Sequence, residues 1–148
     1  MSRFHIHVSV SDLDQSIHFY SALFGAQPTV AKPDYAKWQL ESPAVNFAIS
    51  THGAQQGLDH LGLQADSAEE LAAIEQRLSA AGLASEAQLG TTCCYAQSDK
   101  HWTVDPQGIA WEAFHTLGTT PTFNAQPAAA GQEQSASRCA PSLSGCCG

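Results

Sequence analysis

A chain of 148 residues with 14 acidic side chains against 6 basic ones, a net charge of -8, has no basic patch with which to grip a phosphate backbone, so nucleic acid is excluded as a partner. No apolar run approaches the length of a membrane span, and Met1-Ser2-Arg3 leads directly into a strand-like segment, so a cytoplasmic protein with no membrane attachment is expected. Five cysteines, an odd number, argue against a disulfide framework and for thiols that are free or ligate something.

Phe4 to Val10 alternates polar with aliphatic residues, the period of a strand with one apolar face, and puts His5, His7 and Ser9 together on the other face. Asp12 is a candidate helix cap, and Leu13, Ile17, Tyr20, Leu23 and Phe24 recur at helical spacing up to Gly25, a good C-terminal stop. Three strand-length runs follow, Thr29 to Ala31, Tyr35 to Leu40 and Val45 to Ile49. The pattern then repeats. Asp59 to Ala65 is a second opening strand, and Asp66 or Ser67 caps a helix from about Ala68 to Ala81, ended by Gly82. Further strands are expected at Ala84 to Gln88, around Cys93-Cys94-Tyr95, at His101 to Val104 and at Ile109 to Phe114.

Two copies of strand, helix and three strands, at about 4–50 and 58–115, are each too small to bury a sheet alone. The expectation is an α+β domain over residues 1–118 in which two βαβββ modules pair into one curved, barrel-like mixed sheet with the helices outside. Residues 119–148 are rich in Pro, Ala, Gly, Gln and Ser without periodicity and predict a flexible tail, which carries Cys139, Cys146 and Cys147.

Cys93 and Cys94 lack the spacing by which a chain curls around a four-coordinate metal. Two adjacent thiols suit a soft thiophile with two open positions, such as a trivalent arsenical carrying one organic group; a pair of half-buried strand cysteines is the competing reading. Neighbouring residues of a strand point to opposite faces, so both sulfurs reach one arsenic only if the backbone there forms a loop or bulge beside a cavity. Glu112 lies in an otherwise apolar strand, where a buried carboxylate needs a partner or a metal.

The paired modules, with Asp12-Leu13-x-x-Ser16-Ile17-x-Phe19-Tyr20-x-x-Leu23-Phe24-Gly25, resemble the vicinal oxygen chelate superfamily of glyoxalases, bleomycin resistance proteins and dioxygenases. The stretch Gly90-Thr91-Thr92-Cys93-Cys94-Tyr95-Ala96-x-x-Asp99-Lys100-x-Trp102-x-x-Asp105-Pro106-x-Gly108-x-x-Trp111-Glu112 is similar to the organoarsenical carbon-arsenic lyases, grouped with the cadmium-induced proteins. This resemblance implies a non-haem Fe(II) dioxygenase that uses O2 to cleave the carbon-arsenic bond of trivalent organoarsenicals, methylarsenite and reduced aromatic arsenicals, releasing arsenite. It implies His5, His60 and Glu112 as metal ligands, with His7 as a nearby contact or the alternative ligand, and Cys93 and Cys94 as the substrate thiols. Gln97, Asp99 and Lys100 would shape or close the substrate loop, and Cys139, Cys146 and Cys147 would relay arsenic to it. The carboxylate that four-ligand relatives carry on the first module falls at about Phe47, beside Asn46, and is absent, which favours oxygen chemistry over isomerase chemistry. The same resemblance implies a homodimer. Two alternatives stay open: a protein that sequesters arsenic or cadmium, and a glyoxalase-type isomerase or thiol transferase.

Overall fold

The computed structural model describes residues 2–124, so most of the expected tail, with Cys139, Cys146 and Cys147, lies outside the described residues. The elements run β1 (Arg3–Ser9), α1 (Leu13–Phe24), β2 (Val30–Lys32), β3 (Tyr35–Glu41), β4 (Ala44–Ser50), β5 (Gly57–Ala65), α2 (Ala68–Ala80), β6 (Glu86–Cys93), β7 (Ala96–Val104) and β8 (Ala110–Thr119). The caps explain the helix bounds. Asp12 accepts a hydrogen bond from the Gln15 backbone N–H at 2.9 Å, and Gly25 closes α1 in the left-handed region at φ 64°. Ser67, rather than Asp66, caps α2 by accepting from the Glu70 N–H.

All eight strands form one curved mixed sheet in the order β2-β3-β4-β1-β5-β8-β7-β6. The two modules meet at its centre, where β1 and β5 pair antiparallel; outward from there β4 lies parallel to β1 and β8 parallel to β5. Strand alternation sorts the faces. Ile6 and Val8 face α1 and pack with Leu13, Ala36, Trp38, Phe47 and Ile49, while His5, His7 and Ser9 are buried on the concave face. Burying side chains such as Phe47 and Ile49 contributes about 1.5–3 kcal/mol each. The second helix rests on a smaller cluster of Ala65, Leu71, Ala113 and Ile74.

Two expectations are corrected. Gln97, Asp99 and Lys100, expected to shape or close a substrate loop, belong to β7, which a two-residue turn joins to β6. The chain also stays packed past residue 118, since β8 runs to Thr119, Phe123 is buried against Tyr35 and Ala48, and Asn124 bridges to Cys93. Among the described residues no helix is long and apolar enough to cross a membrane.

Candidate metal and thiol site

Three strands deliver the imidazoles and the carboxylate to one point. On β1 and β5, which run side by side, His7 stands opposite His60, and Glu112 on β8 stands opposite Gly62. That last pairing requires glycine, because a Cβ on Gly62 would meet the Glu112 carbonyl oxygen at 2.3 Å. His5 Nε2 and His60 Nε2 are 3.2 Å apart, and Glu112 Oε2 lies 3.7 Å from the first and 3.4 Å from the second. Each of these imidazoles is fixed from behind. His5 Nδ1–H donates to the Asn46 carbonyl at 3.0 Å, and His60 Nδ1–H donates to Asp59 Oδ2 at 2.7 Å. With Nδ1 committed as a donor, each Nε2 turns a lone pair toward the shared centre, the arrangement by which outer partners orient metal-binding histidines. Ring edges box them in, Phe114 against His5 and Trp102 against His60.

His7 is also buried, its Nε2 2.9 Å from Ser50 Oγ, and His5, His7 and His60 each offer a nitrogen within 4.8 Å of the others. The structure therefore brings together the expected triad and the alternative ligand. Glu112 Oε1 accepts from Lys100 Nζ at 2.6 Å, which leaves Oε2 for the centre.

The electrostatics follow from burial among like neighbours. Desolvation, with the charge of His60 added, lowers His5 to about 4 and His7 to about 3, so both are neutral bases at neutral pH. For His60 desolvation is outweighed by Asp59 and Glu112, and its pKa is raised. Burial would raise Glu112, but Lys100 and His60 hold it well below the ordinary carboxylate range.

Across the cavity stand the two cysteines. Cys93 ends β6 and pairs with Ala96, so Cys94 and Tyr95 are the central residues of the hairpin turn, both left-handed at φ 56° and 61°. This is the φ pattern of a type I′ turn, and it meets the expectation that the pair leaves strand geometry. The two Sγ atoms are 3.1 Å apart. Cys94 is half-buried, and desolvation pushes its thiol far above the ordinary range, so it is protonated rather than the thiolate that thiophile capture suggests. Cys93 is disulfide-bonded in this structure, against the expectation of free thiols. Tyr95 Oη donates to Asp34, tying the turn to the β2–β3 edge. One cavity of about 40 Å³ is lined by the histidines, Glu112 and Lys100, by both cysteines, and by Tyr35 and Lys37 of β3.

Gln97 is exposed and its amide donates to the Gly90 carbonyl at 3.4 Å, while Asp99 accepts from the Gly90 N–H at 2.7 Å. Both brace an irregularity in β6. Ala96, Ser98 and Lys100 alternate inward from this part of β7, so Gln97 does not reach the site. The missing fourth carboxylate position is also shifted by one residue. Gly62 opposite Glu112 corresponds to His7 opposite Ala48, so the matching position is Ala48, whereas Phe47 faces α1. Asp59, Ser50 and Lys37 escape the sequence reading; the cue for Asp59 was adjacency to His60, and the other two arrive through sheet register alone.

Residues 3–113 match the Glyoxalase/Bleomycin resistance protein/Dioxygenase superfamily. A protein of Bacillus sp. (strain MD1) named trivalent organoarsenical cleaving enzyme is 44% identical over 126 residues, covering 83% of this chain and 78% of that one. The cadmium-induced protein CadI of Mycobacterium tuberculosis (strain H37Rv) is 38% identical over 128 residues, covering 86% and 84%. Among solved structures, an extradiol ring-cleaving dioxygenase from B. fuscum superposes with a TM-score of 0.58 at 19% identity, over 78% of this chain and 32% of that one, a likeness of fold. The chain belongs to the glyoxalase, bleomycin resistance protein and dioxygenase superfamily, and within it to the group of trivalent organoarsenical cleaving enzymes and cadmium-induced proteins.

Proposed function

We propose that this chain is an extradiol-type, Fe(II)-dependent dioxygenase that cleaves the carbon-arsenic bond of trivalent organoarsenicals and releases arsenite. The observation that carries the reading is a single cavity lined both by buried imidazoles with a carboxylate and by two adjacent cysteines. The relatives named for organoarsenical cleavage support it.

The donor set fits the metal. Two imidazole nitrogens and one carboxylate oxygen within 3.7 Å of one another are the ligands of Fe(II) oxygenase centres with open positions. His5, His60 and Glu112 would hold it, with His7 as the alternative donor. When bound, Fe(II) supplies the activation of O2. The chain's own residues supply placement. Reduced Cys93 and Cys94 condense with the two hydroxyls of an organoarsenical, forming two As–S bonds and releasing two waters. The thiol protons leave with the hydroxyls, so burial of neutral Cys94 suits this exchange. The organic group then stays on arsenic and lies in the cavity, where the Phe114 ring restricts water. Lys100 and Asp59 hold Glu112 and His60 in place. Capture requires the reduced form of Cys93, and hence a thiol reductant.

Incubating the reduced, Fe(II)-loaded protein with methylarsenite, with and without O2, and separating the arsenic species tests the reading. Arsenite should form only when both Fe(II) and O2 are present. Release that ignores oxygen would sink it. Relatives named for induction by cadmium favour a second reading, a sequestering protein, which would retain arsenic stoichiometrically, consume no oxygen and release no arsenite. Ala48 at the fourth-ligand position weighs against a glyoxalase-type isomerase.

A further inference from the structure

The cavity contains two cationic side chains in different situations. Lys100 is neutralised by Glu112 at 2.6 Å. Lys37, from the middle of β3, lines the same cavity and is half-buried, and its ammonium has no hydrogen-bond or ion-pair partner among the described residues. Register fixes where it stands. Lys37 pairs with Ala48 on β4, and Ala48 pairs with His7 on β1, so Lys37 sits two strands from the imidazoles on the concave face. Two strand spacings place its backbone roughly 10 Å from that of His7. A charge on the Cys94 sulfur would be felt at its ammonium, so the two groups lie within electrostatic reach across one cavity. A half-buried ammonium with no protein acceptor is costly unless something else meets it.

We propose that Lys37 is a specificity-determining residue that receives an anionic oxygen, a carboxylate or phenolate, on the organic group of an arsenical held by Cys93 and Cys94. The proposal rests on the organoarsenical reading above and deepens it. An aromatic arsenical suits this lining, with arsenic at the sulfurs, the ring beside Tyr35 and Phe114, and a ring substituent directed to β3. The other charges near that path are Glu112, already paired with Lys100, and Asp59, paired with His60. An anion at Lys37 therefore meets the one of the cavity's two lysines that is not already paired with a carboxylate.

The test uses three trivalent phenylarsenicals, unsubstituted, 4-carboxy and 4-trimethylammonio, on the reduced full chain. Dissociation constants are measured anaerobically by tryptophan fluorescence, and arsenite release is measured aerobically with Fe(II). The 4-carboxy compound should bind and turn over best. In Lys37→Gln its advantage over the unsubstituted compound should fall about two- to fivefold, the size of a partly screened ion pair; Lys37→Arg should keep it, and Lys37→Glu should transfer it to the 4-trimethylammonio compound. A ratio unchanged in Lys37→Gln, or equal losses for all three compounds, would overturn the inference while leaving organoarsenical cleavage intact. If none of the three nor methylarsenite binds or releases arsenite, the functional reading itself fails and takes this inference with it.

Discussion

Replacing Lys100 by Met removes an ammonium from a carboxylate that has nowhere else to go. Lys100 and Glu112 are 4% and 5% exposed, and their charged atoms are 2.6 Å apart. At that separation an effective dielectric of ~20 gives about 6 kcal/mol of attraction, part of which offsets the burial of both groups. Removing one member of a buried pair costs about 3–5 kcal/mol, and for a domain of this size that lowers the melting midpoint by about ten degrees or more. Methionine keeps most of the volume and leaves the stem packed beside Trp102. The sharper expectation concerns metal. A divalent cation at the imidazoles replaces the lost positive charge beside Glu112, so saturating Fe(II) or Mn(II) should raise the melting midpoint of Lys100→Met by more than it raises that of the parent. Thermal unfolding of both proteins, stripped with chelator and then reloaded anaerobically, decides the matter. If the stripped variant melts with the parent, or if both gain equally from metal, the ion pair does not hold Glu112.

Asp59→Asn keeps the size of the group that faces His60 Nδ1 but removes its charge, and should weaken metal affinity about ten- to a hundredfold, with little change in the fold of the stripped protein; isothermal titration with Mn(II) checks it, and unchanged affinity contradicts the orienting role. The stripped protein should also lose stability between pH 6.5 and 5. His5 and His7 titrate in the folded state at about 4 and about 3 rather than 6.5, so the unfolded chain takes up protons that the folded cluster refuses. Stability is full above pH 6.5 and falls by about 2 kcal/mol per imidazole by pH 5, with the raised His60 offsetting part. A flat urea midpoint across that window would refute it, and saturating metal should flatten it.

Much of this arrangement is legible in the chain because one period served both faces of the sheet. The alternation in Phe4 to Val10 placed His5 and His7 together, the caps at Asp12 and Gly25 bounded α1, and Glu112 stood out as a carboxylate among apolar neighbours. The β6–β7 hairpin was illegible for a physical reason. Its turn is Cys94-Tyr95 rather than the Asn-Gly that announces such a turn, and its inward positions, Ser98 and Lys100, are polar, so the strand reads as a loop. The shift from Phe47 to Ala48 shows that sequence offset alone does not give register, which backbone pairing sets. Lys37 could not be found locally, because its meaning comes from strands β4 and β1 beside it.

The turn at Cys94-Tyr95 has an evolutionary side. Two successive residues with side chains in the left-handed region cost about 1–2 kcal/mol each, and Asn-Gly would relieve most of that without disturbing the strands. The most accessible stabilising change in this hairpin is thus one that deletes a sulfur. A lineage under pressure for stability alone would drift toward a sturdier hairpin and lose its vicinal pair, so a descendant with Asn-Gly at these positions marks where selection for thiophile capture has lapsed.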